Sequence, residues 1–115
     1  MGNPANFEPA MTLSDLPSGA LRACRIGGRD LVLCRTAGGI SAFDDLCPHA
    51  EARMSEGRLR GTKLLCPLHG AAFDASDGRV LGGPARAALR GHPVLIEGDR
   101  VLVAVADAVP APTRT

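Results

Sequence analysis

Two short packets of cysteine and histidine constrain this chain more than any other feature. The first is Cys47-Pro48-His49, the second is Cys66-Pro67-Leu68-His69, and sixteen residues separate them. Together they hold two of the four cysteines and two of the three histidines. Thiolate and imidazole are common ligands of zinc and iron centres, so we expect both packets to bind one shared metal centre. The fold must therefore bring two loops side by side.

The mixture of ligands within each packet narrows the kind of centre. Zinc fingers of the two-cysteine, two-histidine kind pair like with like, whereas each packet here offers one thiolate and one imidazole. Such a set can hold a binuclear iron centre, with both thiolates on one iron and both imidazoles on the other. Zinc in the same four ligands stays an alternative.

Composition limits the other possibilities. A chain of 115 residues is the size of one domain with one site, and 45% hydrophobic with 22% charged residues is ordinary globular usage. A net charge of +1 is too small to attract nucleic acid or anionic lipid to the protein as a whole. Aromatic residues are only 3%, which argues against stacking on single-stranded nucleic acid.

The sequence predicts a cytoplasmic protein without a membrane segment. Its first residues carry no basic region followed by an apolar run, and no stretch of eighteen apolar residues occurs. Thiols stay reduced in that compartment, so we interpret Cys24 and Cys34, which lie in apolar strand-like runs, as packing residues and not as a disulfide. We assign no ligand role to His92, which has no cysteine nearby.

Short apolar runs broken by glycine turns predict an all-β sandwich or barrel. Helix signals are confined to one turn at Thr12–Asp15, which Pro17 ends. The Pro-punctuated end of the chain predicts a flexible tail over 108–115. The expected strands are Ala20–Ile26, Asp30–Thr36, Ile40–Phe43, His92–Gly98 and Arg100–Ala106.

The spacing Cys-x-His, sixteen residues, Cys-x-x-His-Gly resembles the signature of the Rieske proteins. The likeness runs from about Leu13 to Val105 and is strongest to the small Rieske ferredoxins of bacterial aromatic-ring dioxygenase systems. It implies an antiparallel β-sandwich or barrel with a small two-loop cluster-binding subdomain, and one [2Fe-2S] cluster. We expect a single domain over 1–107, with that subdomain at about 45–85. The implied metal ligands are Cys47 and Cys66 on an inner iron and His49 and His69 on an outer iron.

The resemblance also bears on the redox potential. High-potential Rieske proteins carry an extra cysteine beside each packet. They also carry a serine and a tyrosine after the second histidine, and the hydroxyls of these two residues donate hydrogen bonds to cluster sulfur. The corresponding residues here are Ala52, Leu68, Ala71 and Phe73, so both cysteines and both hydroxyls are absent. With two thiolate ligands the centre is neutral when oxidised and carries one negative charge when reduced. Rieske centres span a range of roughly −150 to +300 mV. Because the hydroxyls that stabilise the reduced state are absent here, we expect a midpoint potential at the low end of that range.

Glycines in two segments complete the expected surroundings of the cluster. Gly70 is expected to let backbone amides approach cluster sulfur, and Gly82-Gly83-Pro84 resembles a third loop that covers the cluster in the family. A plain turn is the alternative for that segment. The expected cluster environment comprises Pro48, Gly70, Ala71, Phe73, Gly83 and Pro84.

The function implied by the resemblance is a soluble one-electron carrier with no catalytic residues. It would take electrons from an NAD(P)H-dependent flavoprotein ferredoxin reductase and deliver them to a terminal oxygenase, in transient contacts and as a monomer. The expected docking residues are Ala50, Glu51 and Leu68, with nearby charges as either a docking rim or plain solvation. Alternatives are a Rieske subunit of a larger oxidoreductase, such as assimilatory nitrite reductase, and a zinc-stabilised interaction domain.

Overall fold

The computed structural model describes residues 7–47, 52–68, 70–83 and 87–105 and is built from antiparallel strands. Its strands form three sheets, ordered β1-β11-β10, β2-β3-β4-β9 and β5-β6-β7-β8. The predicted all-β class is confirmed. The strands are β1 Phe7–Thr12, β2 Leu21–Ile26, β3 Arg29–Thr36, β4 Gly39–Asp44, β5 Arg58–Arg60, β6 Lys63–Leu65, β7 Ala72–Asp74, β8 Val80–Gly82, β9 Gly91–His92, β10 Val94–Glu97 and β11 Arg100–Ala104.

The β2-β3-β4-β9 sheet leads the chain into the first packet. Its β2–β3 hairpin turns at Gly27 and Gly28, both with positive φ, as the glycine turn predicts. The β3 side chains alternate between two cores, since Leu31 and Leu33 lie in one and Val32 and Cys34 in the other. This sheet is therefore covered on both faces and holds β4 firmly at the start of the site.

The β1-β11-β10 sheet joins the two ends of the described chain. Strand β1 pairs with β11, and β10 forms a hairpin with β11 around Gly98. Strand β1 precedes Leu13, the residue at which the resemblance was expected to begin. The turn predicted at Thr12–Asp15 is present as a 3₁₀ helix, Leu13–Asp15.

The β5-β6-β7-β8 sheet lies in the chain between β4 and β9 and is made only of three-residue strands. It follows a 3₁₀ turn at Met54–Glu56 and contains the second packet in the connection from β6 to β7. Its inner residues Leu59, Leu64 and Phe73 pack into one apolar core. The boundaries assigned to the cluster-binding subdomain, and those of the domain, stay predictions.

The buried apolar residues form two separate cores. The core beside the packets, called the site core below, consists of Val32, Cys34, Phe43, Cys47, Met54, Leu64, Cys66, Ala71, Phe73, Ala75 and Leu89. The other core joins the first two sheets and includes Leu16, Leu31, Leu33, Val101 and Val103. Among the described residues no helix has the length and apolar character needed to cross a membrane.

Cys24 and Cys34 behave as packing residues. Both are free thiols, and they face different cores: Cys34 is buried in the site core, whereas Cys24 packs against the other one. In the β2–β3 ladder Cys24 lies opposite Leu31 and Cys34 lies opposite Leu21, so the two are not cross-strand neighbours. The interpretation without a disulfide is confirmed.

Candidate metal centre

The two packets begin in the same way. The backbone N–H of Cys47 donates to the carbonyl of Ala52 at 2.8 Å, and that of Cys66 donates to the carbonyl of Ala71 at 2.8 Å. Each cysteine is thus the first residue of a six-residue loop closed by one hydrogen bond to an alanine. The residues flanking each loop also pair, Leu46 with Arg53 and Leu65 with Ala72.

Both cysteines point into protein and not into solvent. Cys47 is 2% exposed and Cys66 is 4% exposed, neither is in a disulfide, and both belong to the site core. A thiolate buried in this way is stable only where a cation or a metal compensates its charge. Two buried thiols at equivalent loop positions therefore suit a metal centre held between the loops.

The other predicted ligands, His49 and His69, lie outside the described residues, as do Pro48, Ala50, Glu51 and Pro84. In the described ranges no group of three or more histidine, cysteine and acidic side chains could hold a metal ion. The described part thus contains the thiolate half of the expected ligand set.

A third segment packs directly on the second loop. A Cβ placed on Gly83 would come within 2.6 Å of the Ala71 Cα and 2.9 Å of the Gly70 carbonyl oxygen. Gly83 also has φ of 84°, which side-chain-bearing residues rarely adopt. Glycine is needed here so that the connection after β8 can lie against Gly70 and Ala71 in the second loop.

The segment after the first loop is fixed by a buried carboxylate that sequence reasoning missed. Asp45, 1% exposed, accepts hydrogen bonds from the Ser55 N–H at 2.7 Å and the Ser55 hydroxyl at 2.8 Å. Its backbone carbonyl accepts from Met54 N–H at 2.6 Å. Arg53 lies 3.4 Å from both Asp45 and Asp30, so this arginine is part of an ion-pair network and not a solvating charge.

Ala71 and Phe73, the positions at which the resemblance implies hydroxyls in high-potential Rieske proteins, are both fully buried in the site core. Leu68, a predicted docking residue, is 43% exposed. Sequence reasoning missed Leu46, which is 62% exposed immediately before Cys47, and Leu81 on β8, which is also exposed. The signal for Leu46 was available, because it directly precedes a ligand candidate at the end of a strand.

His92 has a structural partner away from the packets. Its imidazole is buried and its Nε2 lies 2.8 Å from Asp44 Oδ1, on the strand that leads to the first loop. Arg29 and Arg90 lie at 3.3 and 3.8 Å from the same carboxylate. This agrees with the absence of a predicted ligand role for His92.

Comparison with known proteins identifies the family. The sequence matches the family described as Rieske [2Fe-2S] domain over residues 6–93. The chain belongs to the Rieske family. Its resident cofactor is accordingly one Rieske-type [2Fe-2S] cluster, and the two buried cysteines at the heads of the two loops fit that group. When bound, such a cluster accepts and donates one electron.

Individual Rieske proteins resemble the chain over nearly their whole length. The ferredoxin component of the naphthalene 1,2-dioxygenase system of Pseudomonas aeruginosa is 40% identical over 94 residues, which cover 82% of this chain and 90% of that protein. The ferredoxin of carbazole 1,9a-dioxygenase from Nocardioides aromaticivorans IC177 superimposes with a TM-score of 0.81 at 29% identity, covering 85% of this chain and 96% of that one.

A third similar structure is a complex of reduced oxygenase and oxidised ferredoxin in carbazole 1,9a-dioxygenase. Its matching chain has a TM-score of 0.81 at 30% identity, with 90% of this chain and 97% of that chain covered. The fold of this chain is therefore that of the Rieske ferredoxins.

Proposed function

We propose that this protein is a one-electron carrier that receives electrons from an NAD(P)H-dependent flavoprotein ferredoxin reductase and passes them to a terminal aromatic-ring dioxygenase. The observation that carries the proposal is the near full-length similarity to a ferredoxin component, which covers 90% of that relative. The similar ferredoxin found in complex with its oxygenase supports the same role. We place the carrier in the cytoplasm, as a monomer with no substrate chemistry of its own.

The proposed ligands are Cys47 and Cys66 on the inner iron and His49 and His69 on the outer iron. The equivalent, buried positions of the two cysteines support the inner assignment. Each histidine follows its cysteine by two or three residues, which allows both imidazoles to leave the same two loops. Each loop would then hold both metals, so opening either loop would release the whole cluster.

Both partners must come close to the cluster and leave again. The exposed Leu46, Leu68 and Leu81 supply apolar surface on the segments that carry or flank the packets, and Ala50 and Glu51 belong to the first loop by sequence. A small apolar contact with a charged rim suits a weak redox encounter. We propose the low end of the Rieske potential range, since the buried Ala71 and Phe73 offer no hydroxyl to cluster sulfur.

The test is anaerobic reconstitution with candidate reductase and oxygenase components of an aromatic-ring dioxygenase system. NADH electrons are expected to reach the oxygenase only when this protein is present, with a red-brown, reducible visible spectrum. A colourless protein with stoichiometric zinc would overturn the electron-carrier role. Copurification with one large oxidoreductase, without reduction by a separate flavoprotein, would instead favour a fixed subunit such as that of a nitrite reductase.

A further inference from the structure

Three cationic side chains on the β5-β6-β7-β8 sheet lack the ion pairs and hydrogen bonds that every other described cation has. The structure describes eleven lysine and arginine residues, and eight of these have a carboxylate or carbonyl partner. Arg58, Arg60 and Lys63 have no ion pair or hydrogen bond with any residue that the structure describes. These three residues are called the basic strip below.

The ladder places the basic strip on one face. Leu59 pairs with Leu64, and both turn inward to the site core. Arg58 and Arg60 alternate with Leu59 on β5, and Lys63 is directly opposite Arg60, so all three point outward and are exposed. The strip begins at the β5–β6 turn and ends beside Leu65, which directly precedes Cys66.

The described carboxylates nearest the strip form no ion pair with it. Asp74 is opposite Lys63 on β7, but its oxygens accept from the Ser76 N–H at 2.8 Å and the Ser76 hydroxyl at 2.6 Å, and Arg79 lies 3.4 Å away. Asp77 accepts from the Arg79 N–H at 3.0 Å. Both carboxylates are thus engaged within the β7–β8 turn.

Such an arrangement lowers stability and calls for an explanation. Like charges directly opposite in an antiparallel ladder repel each other, as Arg60 and Lys63 must. Charged side chains do protect edge strands such as β5 from pairing with another chain. A mixture of signs would protect equally well without repulsion, and Lys63 lies on β6, an inner strand.

We infer that the basic strip is a docking surface for an acidic patch on the flavoprotein reductase. The inference rests on the proposed function, and charge decides between the two redox partners. Reduction adds one negative charge beside Cys66, which weakens attraction to an acidic partner at the strip. This weakening suits the partner that delivers the electron, because the reduced protein then dissociates from it. A partner that must bind the reduced protein would instead lose affinity.

The experiment is rapid anaerobic mixing of the oxidised protein with the NADH-reduced flavoprotein reductase, followed by the loss of visible absorption. We expect the double variant Arg60→Gln/Lys63→Gln to lower the second-order rate about three- to tenfold at low salt and to flatten its salt dependence. The control Arg22→Gln/Arg100→Gln makes the same change of net charge on the other sheets and should stay within about twofold of wild type.

Three further readouts make the outcome decisive. Thermal midpoints should be unchanged or higher in the strip variant because repulsion is removed, dithionite should give the same reduced spectrum, and electron delivery to the oxygenase should keep its rate. An unchanged reductase rate, or an equal loss in the control, would overturn the docking surface. A loss confined to the oxygenase step would assign the strip to the other partner. Wild-type protein that the reductase fails to reduce would defeat the proposed function itself.

Discussion

Gly83 lies so close to Ala71 that a Cβ on the glycine would come within 2.6 Å of the Ala71 Cα. Gly83→Ala should therefore push the connection after β8 away from the second loop. Its positive φ and the overlap together should cost about 2 to 5 kcal/mol and speed cluster loss. Visible absorption during mild heating measures this loss.

Gly19→Ala is the matched control for Gly83→Ala. Gly19 has φ of 82°, almost the same as Gly83, but a Cβ there meets nothing within 4 Å. We expect this control to lose about 1 to 2 kcal/mol of unfolding free energy from the backbone conformation alone and to retain its cluster as wild type does. Equal rates of cluster loss in the two variants would contradict the close-contact argument.

The buried carboxylate of Asp45 predicts a second sensitive position. Asp45→Asn keeps the shape but leaves one oxygen in place of the two that accept the Ser55 hydrogen bonds and removes the charge that faces Arg53, so it should lower the free energy of unfolding by about 1.5 to 3 kcal/mol. Ser55→Ala removes only the hydroxyl bond and should cost about 1 kcal/mol. Urea unfolding measures both, and a smaller loss in Asp45→Asn than in Ser55→Ala would refute the anchoring role.

Sequence patterns predicted the longer strands because these have apolar alternation and glycine turns at their ends. The β2–β3 hairpin is the clearest case, with both strands and the Gly27-Gly28 turn found where expected. The three-residue strands β5 to β8 are too short to show any period, and the pairing of β1 with β11 joins the two ends of the described chain. Neither could be derived from local pattern.

The candidate site shows the same division. Ligand spacing predicted the two loops, but it could not predict how each loop is closed or supported. Closure depends on hydrogen bonds from Cys47 to Ala52 and from Cys66 to Ala71. Support depends on the buried charge of Asp45, which is a residue type that ordinarily lies at the surface. Neither the loop-closing bonds nor the contacts of Asp45 leave a recognisable short motif in the sequence.

Adding hydroxyls near the second packet should raise the midpoint potential. Ala71→Ser with Phe73→Tyr supplies donors that favour the more negative, reduced state, and each new bond worth about 1 kcal/mol corresponds to roughly 40 mV for one electron. Phe43→Tyr is the control, since it adds the same hydroxyl to the site core on β4. Voltammetry decides the matter, and an equal potential in all three proteins would undercut the role of missing hydroxyls.

Burial should make Cys34 unreactive in the folded protein. Burial raises the pKa of the Cys34 thiol to about 11, although the Ser41 backbone hydrogen bond opposes this. The pKa of the half-buried Cys24 is also raised, by burial and by the charge of Asp45. Because the thiolate is the reactive form, both thiols are mainly protonated at pH 8 and Cys34 lacks access as well.

Alkylation with iodoacetamide followed by peptide mass spectrometry tests this order. In native protein at pH 8, Cys24 should be labelled slowly and Cys34 not at all, while urea exposes both. Raising the pH from 8 towards 11 should increase labelling, because the fraction of thiolate rises as the pH approaches the folded pKa. If Cys34 in the native protein is labelled as fast as Cys24 at pH 8, the site core opens readily. That result would contradict the complete burial of Cys34.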